Sequence, residues 1–238
     1  MTDLQAILDA GGPWEQARII GDQLLINGDC REVMAVLPRV DAVVTDPPYG
    51  IGYGGSMKLG MEKFGWKQYA GGWDEDRPAP EIFAAILSGS KEQIIWGGNY
   101  FADLLPPTMR WLAWDKGQRD FSLADMELAW TSQHKAVRVF TYGRGKAVQD
   151  GKQHPTQKPI ALMEWCLGFL PDARTILDPF AGSGTTAVAC QRLGRQSISI
   201  ELDADYWAIM CKRVQEVVNN PPLFMPAPPK PTQDKMDL

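Results

Sequence analysis

The sequence is poor in the residues that usually bind metals or form disulfides. It has two histidines, His134 and His154, and four cysteines. The cysteines are widely scattered, form no C-x-x-C pair and have no histidine cluster near them. This distribution argues against structural zinc and against a disulfide framework, and we expect no metal site. The four cysteines are Cys30, Cys166, Cys190 and Cys211.

Long apolar runs are also missing. No stretch reaches the roughly 18 consecutive apolar residues of a membrane span, and the N-terminal residues MTDLQAILDAGG lack the basic start of a secretory signal. We therefore expect a soluble, cytoplasmic protein. The 238 residues are 45% hydrophobic, which is enough for one sizeable core. We predict a single domain over residues 1–218 and a disordered, proline-rich tail over residues 219–238.

The sequence also has no excess of positive charge. The formal net charge is −5, whereas nucleic-acid binding is normally driven by Lys and Arg, so such a partner would have to meet a local basic surface. Residues 133–159 qualify, because they contain six cations and one acid. A solvated loop and edge strand would explain this charge run equally well. The cations are Lys135, Arg138, Arg144, Lys146, Lys152 and Lys158.

Short β-rich runs alternate with helical patterns along the chain. Several runs are apolar without alternation, as expected for strands covered on both faces. This order is typical of an α/β fold with a doubly wound, mostly parallel sheet. The predicted strands are residues 23–26, 42–45, 93–96, 110–114, 136–140, 175–177 and 197–200, and the predicted helices are 31–37, 79–87, 159–170, 185–194 and 203–218.

Residues 51–76 show no sustained period and are rich in glycine, lysine and aromatic residues. We predict a long, mobile loop, and loops of this length are usually functional or disordered. Its charged and flat side chains alternate, which suits either a binding surface or a lid. They include Tyr53, Lys58, Lys63, Phe64, Trp66, Lys67 and Tyr69.

The strongest ligand signal is the stretch TILDPFAGSGTTAVACQRLG. A predicted strand, a glycine turn and a predicted helix follow in order, and Gly182, Gly184 and Ala187 satisfy G-x-G-x-x-A. Glu201 ends the next predicted strand, where a carboxylate can accept hydrogen bonds from both hydroxyls of a ribose. The charge of Asp178, just before the turn, would oppose a pyrophosphate, and no Lys follows Gly184 as in a P-loop. The pattern therefore favours a ligand without phosphates.

S-adenosylmethionine meets these constraints. It has a ribose for Glu201, a cationic ammonium for Asp178, and a carboxylate that can approach the helix N-terminus at Thr185 and Thr186. Two alternatives remain. Asp178 could simply cap a turn that the glycines bend, or the loop could hold a nicotinamide dinucleotide, against which the charge of Asp178 argues.

The stretch DPPY at 46–49 follows the predicted strand at 42–45. Proline has no N–H but keeps its carbonyl, so the Asp46 carboxylate and the Pro47 carbonyl form an array of acceptors. Pro47 and Pro48 stiffen the backbone, and Tyr49 adds a flat face on which a base can stack. Such an array could hold an exocyclic amine so that its nitrogen attacks a methyl donor. A turn after the strand, capped by Asp46, is the alternative.

Three motifs in one order make the sequence resemble a known family. DPPY at 46–49, HPTQKP at 154–159 and DPFAGSGTT at 178–186 are similar to the motifs of the amino-methylating DNA methyltransferases, and their order resembles that of the beta group. The resemblance covers residues 22–215. It implies a Rossmann-like, S-adenosylmethionine-dependent fold in permuted order, with the catalytic motif before the cofactor motif.

The resemblance also implies roles for individual residues. The catalytic residues would be Asp46, Pro47, Pro48 and Tyr49. The cofactor site would comprise Asp29, Asp46, Thr156, Lys158, Asp178, Phe180, Gly182, Gly184, Thr185, Thr186 and Glu201, with Asp29 near the adenine amino group and Thr156 and Lys158 at the methionine end. For Asp29 an ordinary turn aspartate is the alternative, and we assign His154 no catalytic role. Base recognition would fall to residues 133–153 and the loop, with contacts from Tyr53, Lys58, Lys63, Lys67, Lys135, Arg138, Arg144 and Lys146.

The expected activity is therefore methylation of a flipped base in double-stranded DNA, as in site-specific, restriction-modification enzymes. A DPPY motif is associated with adenine N6 and a Ser in the Asp position with cytosine N4, so adenine is favoured. An RNA or protein amide methyltransferase, a noncatalytic nucleotide-binding protein and a nicotinamide oxidoreductase remain as alternatives. Asp46 disfavours protein substrates, for which that motif usually begins with Asn. The sequence leaves the oligomeric state open, a dimer included.

Overall fold

The computed structural model describes residues 2–52, 74–119, 124–143 and 157–221. Several predicted features lie outside these residues. They are most of the loop at 51–76, most of the tail at 219–238, and the individual residues Tyr53, Lys58, Lys63, Lys67, Arg144, Lys146, His154 and Thr156.

One nine-stranded sheet organises the described chain. Five of its eight strand pairs are parallel, and the strand order is β1-β2-β9-β8-β3-β4-β6-β5-β7. The pairs β2·β9, β9·β8, β8·β3, β3·β4 and β5·β7 are parallel, while β1·β2, β4·β6 and β6·β5 are antiparallel. The strands are β1 Gln16–Ile20, β2 Gln23–Asn27, β3 Val40–Thr45, β4 Ser90–Trp96, β5 Trp111–Asp115, β6 Met126–Thr131, β7 Arg138–Thr141, β8 Thr175–Asp178 and β9 Gln196–Glu201.

Among the described residues, six α-helices connect or flank the strands. Three begin at aspartate N-caps, Asp3, Asp29 and Asp203, whose carboxylates accept from backbone N–H groups of the first turn. A fourth, α3, has Pro80 at its start, where the missing N–H is no loss. The helices are α1 Leu4–Ala10, α2 Cys30–Val36, α3 Pro80–Gly89, α4 Ile160–Leu167, α5 Thr185–Arg192 and α6 Ala204–Asn219.

Apolar side chains pack on both faces of the sheet. In β3, Ala42 and Val44 belong to a cluster with Leu162 of α4 and Ala189 of α5, whereas Val43 belongs to a second cluster with Phe83 of α3. Alternate residues of a strand point to opposite faces, so the central strands are covered on both sides. This explains why their sequences are apolar without alternation.

The predicted α/β fold with a doubly wound, mostly parallel sheet is confirmed. The observed elements fall close to the predicted ones, with α3, for example, spanning Pro80–Gly89 against a predicted 79–87. Sequence analysis missed α1, β1 and β6. In β1, residues 16–20 are half exposed on an edge strand, which weakens the apolar signal. Within the described residues, no helix has the length and apolarity needed to cross a membrane.

Candidate active site

The carboxyl ends of the parallel strands bring the predicted acids to one edge of the sheet. Asp178 and Glu201 end the adjacent strands β8 and β9, and Asp46 directly follows β3 on the other side of β8. Asp29 follows β2, beside β9. The motifs at 46–49 and 178–186 are therefore neighbours in the fold although they are distant in the chain.

The adjacent carboxyl ends of β3 and β8 form the topological switch point of the sheet. From β3 the chain proceeds outward to β4, whereas from β8 it proceeds in the opposite direction to β9. Ligands of open α/β sheets bind outside the carboxyl ends at such a point. Here Thr45 Oγ1, at the end of β3, donates to Asp178 Oδ1, at the end of β8, at 2.7 Å. This hydrogen bond joins the strand that carries the DPPY motif to the strand that carries the glycine loop.

Asp46 lies within a compact polar cluster at this switch point. Its Oδ1 atom accepts from the Tyr49 hydroxyl at 2.6 Å, and its Oδ2 atom accepts from Lys158 Nζ at 2.5 Å. Lys158 Nζ also donates to the Tyr49 hydroxyl oxygen at 3.2 Å. The Lys158 side chain is 6% exposed, whereas 27% of the Asp46 side chain remains accessible. The Asp46 side chain is therefore not fully enclosed by the protein.

A second carboxylate, Glu127 of β6, shares the same lysine. Glu127 Oε2 lies 2.9 Å from Lys158 Nζ in an ion pair outside hydrogen-bond geometry, and Glu127 Oε1 lies 2.6 Å from Lys116 Nζ. Burial alone would raise the pKa of Glu127, but the two ammonium groups lower it to about 2. Four charges of alternating sign thus run from Lys116 to Asp46.

Burial and this charge chain set the protonation states around Asp46. Burial raises the pKa of Asp46, and the ammonium of Lys158 partly opposes that effect. Burial opposes the charge of Lys158, but the carboxylates of Asp46 and Glu127 outweigh it and hold the lysine pKa well above its usual value. Burial and the Asp46 carboxylate raise the pKa of Tyr49 as well. At neutral pH the lysine is therefore a cation and the tyrosine a hydrogen-bond donor.

The backbone that follows the two prolines is held by Asp74. Asp74 is 3% exposed, and its Oδ1 atom accepts from the N–H of Tyr49 at 2.6 Å and from the N–H of Gly50 at 3.1 Å. The N–H of Gly52 donates in turn to the Asp74 carbonyl at 2.8 Å. The described residues on the two sides of 53–73 are therefore joined directly.

Tyr49 packs against the turn that follows β4. Its ring stacks on Tyr100 with centroids 4.8 Å apart and an interplanar angle of 16°, and it meets Phe101 edge-on. The Lys158 ammonium lies 5.7 Å from the Tyr49 ring and 5.6 Å from the Trp96 ring, close enough for cation–π attraction. One face of the Tyr49 ring is thus already covered by an aromatic neighbour, and Tyr100 itself is 38% exposed.

The glycine loop is held by backbone contacts to Glu201. The N–H of Gly182 donates to Glu201 Oε2 at 2.7 Å, and the N–H of Asp203 donates to Glu201 Oε1 at 2.9 Å. Gly182 has φ +52°, and a Cβ there would meet no atom within 4 Å. The loop thus borders open space beside a carboxylate whose oxygens have further acceptor capacity, and this fits the ribose end of an adenosyl cofactor.

Asp178 is buried and satisfied from within the protein. Its Oδ1 atom accepts from Thr45 Oγ1 and from the N–H of Phe180 at 3.1 Å, so the capping contact expected in the alternative reading is present. Burial raises the pKa of Asp178 to about 6, although hydrogen bonds from Thr186 and Thr45 oppose the shift. Burial likewise raises the pKa of Glu201 to about 6. Because these pKa values lie close to 7, both carboxyl groups are mostly but not fully ionised at neutral pH.

The remaining predicted residues lie at varied distances from this cluster. Phe180, Thr185 and Thr186 are in or beside the glycine loop and are mostly buried. Asp29 caps α2 through the N–H of Arg31 and forms an ion pair with the Arg31 guanidinium, which lowers the pKa of Asp29. Lys135 is exposed, and Arg138 lies on the edge strand β7.

Lys158 contacts the DPPY motif. It contacts Asp46, Tyr49 and Glu127, whereas the resemblance assigns it to the methionine end of the cofactor. That role stays a prediction, and the structure adds to it a direct bond to the catalytic carboxylate.

Sequence analysis missed Glu127, Lys116, Asp74 and Tyr100. Glu127 lies on β6, a strand that sequence analysis missed, and the residues of β6 change from exposed to buried along the strand and do not alternate, so no period of two was there to find. Asp74 was placed within a loop with no period. Neither residue belongs to a local motif.

Metal and thiol chemistry have little support among the described residues. In residues 2–52, 74–119, 124–143 and 157–221, no group of three or more His, Cys, Asp and Glu side chains is placed to hold a metal ion. Burial raises the pKa of Cys30 to about 11 and that of Cys190 to about 12. Neither thiol is a thiolate at neutral pH, so neither is an activated nucleophile.

The fold and the site define a class. On one side of the switch point, the open α/β sheet carries the glycine loop and the acid that ends β9. On the other side it carries the Asp46 carboxylate, which is followed by two prolines and paired with Lys158. The class is that of doubly wound α/β enzymes that bind a nucleoside-type cofactor beside an acidic acceptor.

Comparison with known proteins gives the family. Residues 87–212 match the model of the N6/N4 methylase family, described as DNA methylase, and the chain belongs to this family. The chain is 31% identical over 163 residues to the type II methyltransferase M2.DpnII of Streptococcus pneumoniae, covering 67% of this chain and 56% of that protein. It is 29% identical over 164 residues to the type II methyltransferase M2.LlaDCHI of Lactococcus lactis subsp. cremoris, covering 68% and 56%.

A solved structure supports the fold. The crystal structure of the M1.HpyAVI–SAM complex superposes with a TM-score of 0.51 at 24% identity, covering 79% of this chain and 97% of that chain. The matched part of this chain spans just over half the length of each of the two type II methyltransferases.

Proposed function

We propose that the protein transfers a methyl group from S-adenosylmethionine to an exocyclic amino group of a base in double-stranded DNA. The observation that carries the proposal is the hydrogen bond from Thr45 to Asp178, which places the partly accessible Asp46 carboxylate directly across the switch point from the glycine loop. Family membership and the structure of a related fold with the same cofactor bound support it.

The chain's own residues would hold the amine and the cofactor in place. When bound, S-adenosylmethionine supplies an electrophilic methyl group on a positively charged sulfur. Asp46 and the Pro47 carbonyl accept hydrogen bonds from the two amine protons, which leaves the nitrogen lone pair free. Transfer of the methyl group from sulfur to this nitrogen would release one amine proton, which Asp46 would accept directly or pass to water. The protein contributes mainly orientation and charge complementarity.

The cofactor residues have different roles in this proposal. Glu201 accepts from the ribose hydroxyls, and the Asp178 carboxylate provides the negative charge near the ammonium. Gly182, Gly184 and Phe180 shape the loop, while Thr185 and Thr186 lie at the N-terminus of α5, where a carboxylate is favoured. Asp29, Asp46, Thr156 and Lys158 complete the set that the resemblance assigns to the cofactor.

The target base must leave the duplex to reach Asp46, at an unstacking cost of a few kcal/mol. Tyr49 and Tyr100 form the aromatic surface next to the carboxylate. Because one face of Tyr49 is stacked on Tyr100, a flipped base would use the other ring face or the exposed part of Tyr100. Lys135 and Arg138 would contact the DNA backbone from the β7 side of the sheet.

Adenine N6 is the favoured target because of the DPPY motif, with cytosine N4 as the alternative. The test is incubation with duplex DNA and labelled methyl donor, followed by mass spectrometry of the released nucleosides. We expect N6-methyladenine. N4-methylcytosine would correct the target, and incorporation into RNA or protein but not DNA would refute the proposed substrate.

Asp46→Ala gives the matching test of mechanism. It should keep S-adenosylmethionine binding by calorimetry and lose methyl transfer, because the acceptor for the amine is removed while the glycine loop is intact. Asp9→Ala, at an exposed aspartate of α1, is the control and should retain both. Substantial transfer by Asp46→Ala would refute the catalytic assignment.

A further inference from the structure

Glu127 is partly buried and fixed by two lysines, yet it belongs to none of the motifs at 46–49, 154–159 and 178–186. It lies near the start of β6, and because β6 is antiparallel to β4, the start of β6 is at the same sheet edge as the carboxyl end of β4. Lys116 directly follows β5, which runs antiparallel to β6, with Trp114 paired to Glu127 in the ladder. Strand direction alone therefore brings Glu127 and Lys116 to the edge where Asp46 lies.

Lys158 is divided between two carboxylates. Its ammonium nitrogen is 2.5 Å from Asp46 Oδ2 and 2.9 Å from Glu127 Oε2. The Lys158 side chain is 6% exposed, so water screens these attractions weakly. Lys116 is 10% exposed, and its Nζ atom lies 2.6 Å from Glu127 Oε1. It forms the outer end of the row of four charges.

A cation that faced Asp46 alone would hold that carboxylate more tightly. Lone pairs committed to an ammonium are poorer acceptors for an incoming amine, and a carboxylate stabilised by a nearby cation has a lower pKa. The second carboxylate draws part of the lysine's charge away from Asp46. This sharing raises the pKa of Asp46 and leaves its oxygens more available as acceptors.

We propose that Glu127 is a positioning residue that acts on Asp46 by sharing and orienting the ammonium of Lys158. The inference rests on the proposed function, in which Asp46 is the acceptor for the amine. Glu127 does not itself touch the reacting atoms, and Lys116 holds Glu127 in place.

Two substitutions should shift Asp46 in opposite directions. Glu127→Gln removes a negative charge and leaves Lys158 to Asp46 alone, so the pKa of Asp46 should fall. Lys116→Met removes a positive charge and leaves Glu127 to attract Lys158 more strongly, so the pKa of Asp46 should rise. Within the part of the chain that the structure describes, the other ionisable neighbours are Tyr49 and Cys166, which stay protonated, and Asp178, which is unchanged in both variants.

The experiment is a carboxyl carbon NMR titration of the cofactor-free protein, with the Asp46 signal assigned by its loss in Asp46→Asn. We expect the Asp46 midpoint to move down by about one pH unit in Glu127→Gln and up by a similar amount in Lys116→Met. Glu164→Gln is the matched control, because Glu164 is a mostly buried glutamate paired with Arg192. It should leave the Asp46 midpoint unchanged.

Midpoints that stay fixed, or that move in the same direction in both variants, would overturn the proposal. If Glu127→Gln fails to fold by circular dichroism, Lys116→Met decides, and an unmoved midpoint there also overturns it. The acid limb of the kcat–pH profile with DNA should follow the same two directions, with cofactor affinity within about twofold of wild type. A wild-type protein that binds cofactor but transfers no methyl to DNA refutes the proposed function, whereas the titration still decides the role of Glu127.

Discussion

The ring of Tyr49 occupies the space that a side chain at position 97 would need. A Cβ on Gly97 would lie 2.1 Å from Tyr49 Cε1, and the φ of Gly97 is +67°. Gly97 directly follows β4, the neighbour of β3. The absence of a side chain there lets the tyrosine ring lie on the strand end, from which its hydroxyl reaches Asp46.

Gly97→Ala should therefore displace Tyr49 and impair catalysis. We expect kcat to fall by about 10- to 100-fold, because small displacements of catalytic groups have effects of that size, while cofactor affinity stays near wild type. Gly11→Ala is the control. Gly11 has the same φ of +67° and open space around it, so this variant carries the backbone strain of about 1 kcal/mol without the clash. Equal kcat values for the two variants would contradict the packing role.

Asp74 should be as important for the DPPY backbone as the prolines are. Asp74→Ala leaves the Tyr49 and Gly50 N–H groups without this acceptor, at about 1 to 3 kcal/mol of unfolding free energy, and kcat should drop with it. Asp74→Asn retains a side-chain oxygen that can accept both bonds, so it should restore most of the stability and activity. Urea unfolding and steady-state kinetics would check this. An Asn variant as impaired as the Ala variant would indicate that the charge of Asp74 matters more than its geometry.

Asp178 should oppose stability at neutral pH. Its folded-state pKa is about 6 against an ordinary value of 3.8, so the folded protein binds more protons than the unfolded chain between these values. The stability contribution of this group is present below pH 3.8 and lost as the pH rises through 6. Asp178→Asn should therefore unfold less readily than wild type at pH 7.5, by up to about 3 kcal/mol, and equally near pH 3.5.

Denaturant unfolding of the cofactor-free protein at the two pH values tests this expectation. The same variant should lose affinity for S-adenosylmethionine, because the charge near the ammonium is gone. Lower stability of Asp178→Asn at pH 7.5 would show that the ionised carboxylate gains more from the hydrogen bonds of Thr45, Thr186 and Phe180 than burial takes away.

Asp29 offers a choice between a cap and a cofactor contact. Asn is as good an N-cap as Asp, and the ion pair with the exposed Arg31 contributes little, so Asp29→Asn should change unfolding free energy by less than about 0.5 kcal/mol. Affinity for S-adenosylmethionine should fall about 10-fold, as expected when a charged acceptor is lost. Calorimetry measures this. Unchanged affinity would leave Asp29 as a helix cap alone, and Arg31→Gln should not weaken binding in either case.

The sequence predicts the parts of the site that lie in local patterns. Asp46, Asp178 and Glu201 each end an apolar run, and the parallel order of those runs already implies that their carboxylates meet at one edge. Glu127 could not be found in this way, because β6 runs antiparallel and carries one acid in an otherwise ordinary strand. Asp74 is tied to Tyr49 across 25 residues of chain, and no local spacing records that contact. Lys158 was singled out, but its partners became visible only with the fold.

The hydrogen bond between Gly52 and Asp74 holds these two residues next to each other at the edge of the sheet. Because residues 52 and 74 are adjacent in the fold, the number of residues between them can change with a small entropic effect and without altering the register of β3. Insertions succeed at sites whose two ends are adjacent. Segments of different length could therefore replace residues 53–73 while Asp46, Asp178 and Glu201 keep their positions at the strand ends.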